Sequence, residues 1–362
     1  MVILGIETSC DETAAAVLEQ KNGRIQILSN IVASSATLQA KYGGIIPEQA
    51  AREQIKSIIP VIEEALTQVF PNYQLPTTNY PPIDAIAVTY GPGLIGSLLV
   101  GVETAKTLAI VWNKPLIPIN HLIGHFYANW ISLPTTTYSL PTFPCLGLLV
   151  SGGHTDLVLF TDHGKYKYLG GTRDDAAGEC FDKCARLLGL PYPGGPHISR
   201  LAKKGDPSKF KLPIPMRGSQ DLDFSYSGFK TAVANLLHTS EVGLLVPSEV
   251  EGDSSEVKQD LAASIENAIV QSLIDKIILA LKTYPVQDVM IAGGVAANQK
   301  LAHELKLKIE NLKLKINLHI PPPNLCTDNG AMIAAAAFFQ KPIKDPSNLQ
   351  ADPNLSLLLN QS

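Results

Sequence analysis

Residues 2–18 form the stretch Val2-Ile-Leu-Gly-Ile-Glu-Thr-Ser-Cys-Asp-Glu-Thr-Ala-Ala-Ala-Val-Leu18. An apolar run ends at Ile6, a turn of hydroxyl and carboxyl side chains follows, and apolar residues return from Ala14. Two short apolar runs joined by a polar turn predict a β-hairpin. The turn of this hairpin carries two adjacent acids, Asp11 and Glu12.

The same pattern returns in the second half of the chain. Leu146–Val150 is apolar, Ser151-Gly-Gly-His-Thr-Asp156 is polar, and Leu157–Phe160 is apolar again. One strand–turn–strand unit in each half predicts a duplicated α/β fold with a cleft between the halves.

Between and after these hairpins, apolar residues recur at helical spacing, which predicts helices that pack against the sheets. The segment from Glu48 to Phe70 has large aliphatic residues at helical spacing, which indicates an amphipathic helix. These residues are Ile55, Ile58, Ile59, Ile62 and Leu66. A helix rich in alanine is expected from Cys326 to Phe339.

Composition shifts suggest where the two lobes meet. Residues 132–144 are rich in Pro and Thr and have no periodicity, so we expect the chain to cross between lobes there. The expected division is a first lobe at 1–132 with 324–346, a second lobe at 133–323, and a frayed tail at 347–362. The acidic segment 239–256 is expected to be a loop.

Glycine-rich turns follow predicted strands at three places. They are Gly91–Gly96, Ser151–Gly153 and Gly293–Gly294. Backbone N–H groups in such turns can bind phosphate, although tight strand–helix packing explains each turn equally well. Together with the two acidic hairpins, they suggest the architecture of actin, Hsp70 and the sugar kinases. In that architecture a nucleotide lies between two RNase-H-like lobes.

A pair of histidines is the first candidate for metal binding. Asn120 is a suitable N-cap for a helix that continues to Ile131. His121 and His125 are four residues apart and therefore share one face of that helix. Two imidazoles so placed can hold a divalent metal, Zn or Fe(II), if a carboxylate joins them, and Asp328 is the best candidate. The alternative is two helix histidines with ordinary hydrogen bonds.

Bulk composition limits the classes of function. The chain has 362 residues, 45% hydrophobic and 17% charged, which is typical of a globular protein of two or three domains. Its net charge of −4 means that any nucleic-acid contact must use a local basic patch or a partner. No apolar run of eighteen residues and no signal-peptide pattern occur, so we expect a cytoplasmic protein without a membrane span.

Several motifs occur in the order found in one enzyme family. They are Ile-Glu-Thr-Ser-Cys-Asp-Glu-Thr (6–13), Gly-Pro-Gly-Leu-Ile-Gly (91–96), His-Leu-Ile-Gly-His (121–125), Leu-Val-Ser-Gly-Gly-His-Thr (149–155), Asp-Asp-Ala-Ala-Gly-Glu (174–179), Ala-Gly-Gly-Val-Ala-Ala-Asn (292–298) and Cys-Thr-Asp-Asn-Gly-Ala-Met (326–332). Together they resemble the bacterial tRNA N6-adenosine threonylcarbamoyltransferase family over most of the chain.

This resemblance implies an activity. Members of the family move the threonylcarbamoyl group of threonylcarbamoyl-AMP to N6 of the adenosine 3′ of the anticodon. Their substrates are tRNAs that decode codons beginning with A. They work with accessory subunits of the TsaB and TsaE type, and a homodimer is a further option that the sequence leaves open.

The resemblance also implies roles for individual residues. It places one divalent metal, Fe(II) or Zn, on His121, His125 and Asp328. It makes the acidic pair Asp11 and Glu12 important for activity, as acceptors of the amine proton. The substrate-binding positions that it implies are Leu149, Val150, Ser151, Gly152, Gly153, His154, Asp182, Gly195 and Asn298. His154 is in addition a second candidate base.

Two other classes of function compete with this interpretation. A metal-dependent glycoprotein endopeptidase would use the histidine pair, but zinc proteases carry Glu directly after the first His, and here Leu122 occupies that position. A nucleotide-binding regulator of the Hsp70 type would bind without transferring a group.

Two basic segments are candidates for tRNA contact. The first, 203–217, contains Lys203, Lys204, Lys209, Lys211 and Arg217. The second, 300–315, contains Lys300, Lys306, Lys308, Lys313 and Lys315. Such lysines usually form a solvated helix face, and we favour the first segment as the tRNA contact.

Overall fold

A computed structural model describes residues 1–35, 45–72, 80–132, 139–238 and 253–358. The chain forms two compact units. The first unit comprises Met1–Thr142, Thr161–Tyr166 and Pro321–Ser362, and the second comprises Phe143–Phe160 and Lys167–Ile320. Over the described residues, no helix combines the length and the apolar character needed to cross a lipid bilayer.

Strands and helices alternate along much of the chain. The strands are β1 (Val2–Glu7), β2 (Glu12–Lys21), β3 (Arg24–Ser34), β4 (Ala85–Gly91), β5 (Leu116–Asn120), β6 (Cys145–Val150), β7 (Thr155–Asp162), β8 (Lys165–Gly171), β9 (Asp288–Ala292) and β10 (Asn317–His319). The α-helices are α1 (Pro47–Val69), α2 (Ile95–Val111), α3 (His121–Tyr127), α4 (Ala177–Leu187), α5 (Gly194–Ala202), α6 (Ser227–Leu237), α7 (Asp253–Thr283), α8 (Gln299–Asn311), α9 (Pro323–Cys326) and α10 (Gly330–Ala337). Short 3-10 helices occur at Ala128–Trp130, Gly294–Ala297 and Pro346–Asn348.

The first unit is built on a five-stranded mixed sheet in the order β3-β2-β1-β4-β5. β1 and β2 form the predicted hairpin, in which Ile6 pairs with Ala15. β4 and β5 continue the sheet in parallel with β1. The buried side chains of β1, β4, α1 and α2 form its core, which explains the nearly unbroken apolar runs of the two strands.

The second sheet repeats this arrangement in the order β10-β9-β6-β7-β8. β6 and β7 form an antiparallel hairpin, and β9 and β10 extend the sheet in parallel with β6. Each sheet therefore combines a hairpin, a central first strand and two parallel strands. The predicted α/β fold with a duplicated RNase-H-like pattern is confirmed.

Helix α1 differs in part from its predicted apolar stripe. Ile58, Ile62 and Leu66 are buried in the core as expected. Ile55 and Ile59, however, are exposed, at 65% and 45% of their surface. Residues at i and i+4 lie side by side, so these two side chains form a separate apolar strip on the outer face of the helix.

Residues 347–358, the described part of the expected frayed tail at 347–362, pack on the first unit. Leu349 joins the core of this unit, and Leu355 and Leu357 are buried. The backbone N–H of Asp352 donates to the carbonyl of Tyr90 at 2.7 Å. Isolated leucines and backbone hydrogen bonds hold this segment, and neither leaves a periodic signal in sequence.

Some predicted segments fall partly outside the described residues. These are 133–138 of the expected crossing between lobes, 239–252 of the acidic loop, and 359–362 of the tail. The predicted lobe boundaries stay a prediction.

Candidate active site

The N-cap of α3 sets the position of the two histidines. Asn120 Oδ1 accepts the N–H groups of Leu122 at 2.9 Å and Ile123 at 3.4 Å, as its sequence position predicts. His121 and His125 then lie on one face of the helix, with ring centroids 4.6 Å apart.

The predicted third ligand lies in a break between two helices. Asp328 follows α9 and precedes α10, where a continuous helix was expected from Cys326. Its Oδ1 lies 3.2 Å from His125 Nε2 and 3.6 Å from His121 Nε2. The N-cap of α10 is the next residue, Asn329, whose Oδ1 accepts the N–H of Met332 at 3.0 Å. Asp328 is therefore not needed as a helix cap.

The three side chains fit a divalent metal. One potential ligand atom from each lies within 4.8 Å of the others. His125 is buried, and neither of its ring nitrogens makes a hydrogen bond of acceptable geometry among the described residues, although Nε2 lies 3.2 Å from Asp328 Oδ1. Leaving a buried polar atom unsatisfied costs about 1–3 kcal/mol, so ordinary hydrogen bonding does not account for this ring. Two imidazoles and one carboxylate are suitable ligands for Zn or Fe(II).

Glu7, at the end of β1, is a part of this site that the sequence analysis did not identify. Its side chain is fully buried. Its Oε2 lies 3.1 Å from His121 Nδ1 and accepts the hydroxyl of Thr89, while Oε1 accepts the N–H of Ser9 at 2.5 Å. The available sequence signal was that Glu7 is the first charged residue after an apolar strand.

The acidic turn between β1 and β2 is held from two helices. Gln54 of α1 donates to the carbonyls of Cys10 at 3.0 Å and Glu12 at 2.9 Å. Ser97 of α2 donates its hydroxyl to the Cys10 carbonyl at 2.9 Å. The turn that carries Asp11 is thus fixed by hydrogen bonds to its backbone.

Burial and like charge shift the protonation of this turn. Burial, with the charges of Asp328 and Asp11, raises the pKa of Glu12 to about 9. Burial also raises the pKa of Asp11, although a hydrogen bond with Glu12 opposes this. Burial lowers the pKa of His121, but the charges of Glu7 and Asp328 outweigh burial and raise it to about 9. This repulsion among carboxylates is what a bound cation relieves.

In the second unit, the Ser151–His154 turn connects β6 to β7. The N–H of Ser151 donates to the carbonyl of His154 at 2.8 Å, and Ser151 Oγ accepts the N–H of His154 at 3.2 Å. Gly152 and Gly153 are exposed. The preceding side chains, Leu149 and Val150, are completely buried, so this strand offers a ligand its backbone alone.

Asp182 of α4 lies against the beginning of α5. Its Oδ1 accepts the N–H of Gly194 at 2.7 Å. Burial raises the pKa of Asp182, and hydrogen bonds from the backbone of Gly194 and Gly195 oppose that shift. The predicted positions Asp182 and Gly195 are thus neighbours.

The side chain of Asn298 is hydrogen-bonded to three groups of the protein. Its Oδ1 caps α8 by accepting the N–H of Leu301 at 2.9 Å. Its amide donates to Glu266 Oε1 at 2.7 Å and to Ser199 Oγ at 3.0 Å. Asn298 is a position predicted from its motif, whereas the buried Glu266 that accepts its amide has no such sequence signal.

Comparison with solved structures supports the fold. The chain is similar to the crystal structure of T. kodakarensis HypF, with a TM-score of 0.56, 14% sequence identity, and coverage of 93% of this chain and 47% of that one. A second HypF structure, in a phosphate- and nucleotide-bound form, gives a TM-score of 0.54 at 12% identity. At such low identity the likeness concerns the fold alone.

Comparison with related sequences identifies the family as well as the fold. Residues 26–335 match the family of the tRNA N6-adenosine threonylcarbamoyltransferase TsaD. The chain belongs to the TsaD family. It is 48% identical to the protein of that name from Thermomicrobium roseum, over 99% of this chain and 97% of the relative. The corresponding Bacillus subtilis protein is 44% identical, over 100% of this chain and 97% of the relative. The resemblance found from the motifs is confirmed, and membership in the TsaD family makes the chain a transferase.

Replacing Asp328 with Ala should remove the bound metal and leave the fold intact, because the cap of α10 is Asn329. Asp345→Ala is the control, because Asp345 caps the 3-10 helix Pro346–Asn348 and contacts no metal ligand. It should retain metal, as a loss of cap alone does. Metal analysis with thermal melting measures both, and full metal content in Asp328→Ala would contradict the assignment of Asp328.

The stability of the metal-free protein should fall as pH rises from about 6.5 to about 9. In this window folded Glu12 and His121 keep protons that the unfolded chain has released, since their folded pKa values are both about 9. Each group contributes up to about 1.4 kcal/mol per pH unit. Thermal melts in a chelator measure this slope. Glu12→Gln should flatten it, and a slope equal to that of the wild type would disprove the contribution of Glu12.

Proposed function

We propose that this chain transfers the threonylcarbamoyl group of threonylcarbamoyl-AMP to N6 of the adenosine 3′ of the anticodon. The tRNA substrates are those that decode codons beginning with A. The observation that carries the proposal is the convergence of His121, His125 and Asp328 beside the acidic turn, in a chain 48% identical to an enzyme of that name.

The chemistry requires positioning and charge stabilisation. The lone pair of an adenine amine is delocalised into the ring, so the amine is a weak nucleophile. The mixed carbamoyl–phosphate anhydride is a good electrophile with a stable leaving group. Catalysis must therefore align the two groups and stabilise charge on the carbonyl oxygen and on the departing AMP.

His121, His125 and Asp328 would hold one Fe(II) or Zn ion per subunit. Such a ligand set suits both metals. When bound, the ion supplies Lewis acidity toward oxygen atoms of the substrate. The protein fixes the ligands by capping α3 at Asn120 and α10 at Asn329.

The acidic turn would accept the proton that the amine loses. Asp11 and Glu12 interact directly, and the pKa of Glu12 near 9 means that the pair retains one proton at neutral pH. The other carboxylate of the pair is then the proton acceptor. His154 remains a second candidate for this role.

The second unit would bind the activated intermediate. Gly152 and Gly153 are exposed, and their N–H groups would donate to phosphate oxygens, as glycine-rich turns commonly do. The backbone of Leu149 and Val150 and the side chain of Ser151 border this turn. Asp182 and Gly195 would contribute a polar contact at the beginning of α5. The side chain of Asn298 is hydrogen-bonded to Glu266, so Asn298 would act by fixing the backbone at the beginning of α8.

We propose further that the enzyme acts in the cytoplasm with TsaB-like and TsaE-like subunits, or as a homodimer. The endopeptidase alternative is not favoured, because the position where a zinc protease carries its general base is occupied by the buried aliphatic side chain of Leu122. The regulator alternative does not account for a metal site next to a carboxyl pair.

Incorporation of labelled threonine into tRNA tests this proposal. The purified chain, a source of threonylcarbamoyl-AMP and the accessory subunits should give labelled tRNA. Asp11→Asn should slow transfer by about 10²–10⁴-fold, as loss of a general base does, without weakening binding of a stable analogue of the intermediate. Glu64→Gln, on α1, is the control and should transfer normally. Absence of incorporation by the wild type, combined with cleavage of a glycoprotein, would refute the proposal.

We propose the first basic segment, 203–217, as the surface that contacts tRNA. Lys203, Lys204 and Lys209 are exposed and have no ion-pair partner within the part of the chain that the structure describes. The segment is fixed to α7, since Asp260 accepts the N–H of Asp206 at 2.7 Å and Ser264 donates to the carbonyl of Pro207 at 3.2 Å. Fixed cationic side chains lose less entropy when they bind phosphate.

Changing Lys203, Lys204 and Lys209 to Glu should weaken tRNA binding and reduce its salt dependence, because each lost phosphate contact lowers the slope of log K against log salt by about 1. The control is the same charge change at Lys306, Lys308 and Lys313. Filter binding over a range of salt concentrations measures both variants. Wild-type affinity of the first variant at low salt would exclude the segment.

A further inference from the structure

A buried carboxylate connects the metal ligands to the acidic turn. Glu7 is completely inaccessible to solvent, and its oxygens have different partners. Oε1 accepts the N–H of Ser9 at 2.5 Å, in the turn that leads to Asp11. Oε2 accepts the hydroxyl of Thr89 and lies 3.1 Å from Nδ1 of His121.

We propose that Glu7 is a positioning residue that holds the His121 ring with Nδ1 toward itself and Nε2 toward the metal. This inference rests on the metal site of the proposed function. The ring nitrogen on the far side, Nε2, lies 3.6 Å from Asp328 Oδ1. A carboxylate that accepts the N–H of one ring nitrogen fixes the ring and makes the other nitrogen a better ligand.

The two histidines differ in whether a neighbouring carboxylate holds the ring. Glu7 fixes His121, whereas neither ring nitrogen of His125 makes a hydrogen bond of acceptable geometry among the described residues. His121 is therefore the preorganised ligand of the pair. Because Glu7 also binds the Ser9 N–H, the same carboxylate fixes the geometry of the turn relative to the metal ligand.

A purely structural role for Glu7 makes a different prediction. If Glu7 serves only to satisfy the Ser9 N–H and the Thr89 hydroxyl, its replacement lowers stability but leaves the intrinsic metal affinity unchanged. Metal affinity therefore distinguishes the two roles, and it does not depend on any assay of transfer.

Glu7→Gln is the informative variant because Gln is nearly isosteric with Glu. Its amide oxygen can still accept the Ser9 N–H, but its NH₂ group then faces Nδ1 of His121. The ring must turn its lone pair to the amide and place its proton on Nε2, the atom that faces Asp328. We expect zinc affinity to fall about 10–100-fold in competition with a chromophoric chelator.

Gln54→Leu is the matched control. Gln54 is also buried and also holds the acidic turn, through the Cys10 and Glu12 carbonyls, but it makes no hydrogen bond to His121. This variant should keep zinc affinity within about twofold of the wild type even if it melts earlier. Wild-type zinc affinity in Glu7→Gln, or an equal loss in both variants, would overturn the proposal.

A second measurement needs no variant. In the zinc-loaded wild type, nitrogen-15 spectra of the histidine rings should show His121 protonated at Nδ1 and metal-bound at Nε2. Metal on Nδ1 would overturn the proposal even if Glu7→Gln failed to fold. A protein that shows the Glu7-dependent zinc affinity but transfers nothing to tRNA would refute the proposed function and leave this inference standing.

Discussion

Electrostatic repulsion within a cluster of buried and half-buried carboxylates is the constraint on which the metal site of the first unit depends. Burial raises the pKa of the Cys10 thiol, and the charges of Asp328, Asp11, Glu7 and Glu12 raise it further, so all four carboxylates lie close to this one turn. Burying like charges together is costly unless protons, hydrogen bonds or a cation compensate. The fold supplies hydrogen bonds to Glu7, the Asp11–Glu12 pair retains a proton, and the remaining charge favours a divalent metal at the two imidazoles.

Close backbone packing is what brings these groups together. Gly5 of β1 lies directly against the backbone of Gly330 and Ala334, so any side chain there would push α10, and Asp328 with it, away from the sheet. Gly124 leaves room for Ile333, whose Cδ1 lies 2.7 Å from where a Cβ atom would be. The metal ligands on α3 and before α10 thus converge because small residues allow the helix pair to approach.

The sequence predicted the parts of this site that have local signals. The hairpin was visible as two apolar runs, the histidine pair as an i, i+4 spacing, and Asp328 as part of a motif. Glu7 was missed because its partners, Thr89 and His121, are distant in sequence and meet only through the sheet register. The burial of Leu349 was missed for a similar reason, since tertiary packing and not periodicity holds it. The exposure of Ile59 shows the opposite case, in which an apolar residue at helical spacing lies outside the core.

The two sheets share one topology, yet the turn after the first strand has a different chemistry in each. In the first unit that turn carries carboxylates, with Asp11 next to Glu12, and it lies beside ligands suited to a cation. In the second unit the equivalent turn has two exposed glycines, Gly152 and Gly153, and turns of this kind suit an anion rather than a cation. The two turns occupy equivalent places, after the first strand of each sheet, so one strand order presents opposite electrostatic preferences because the residues of the turn, and not the sheet, determine them.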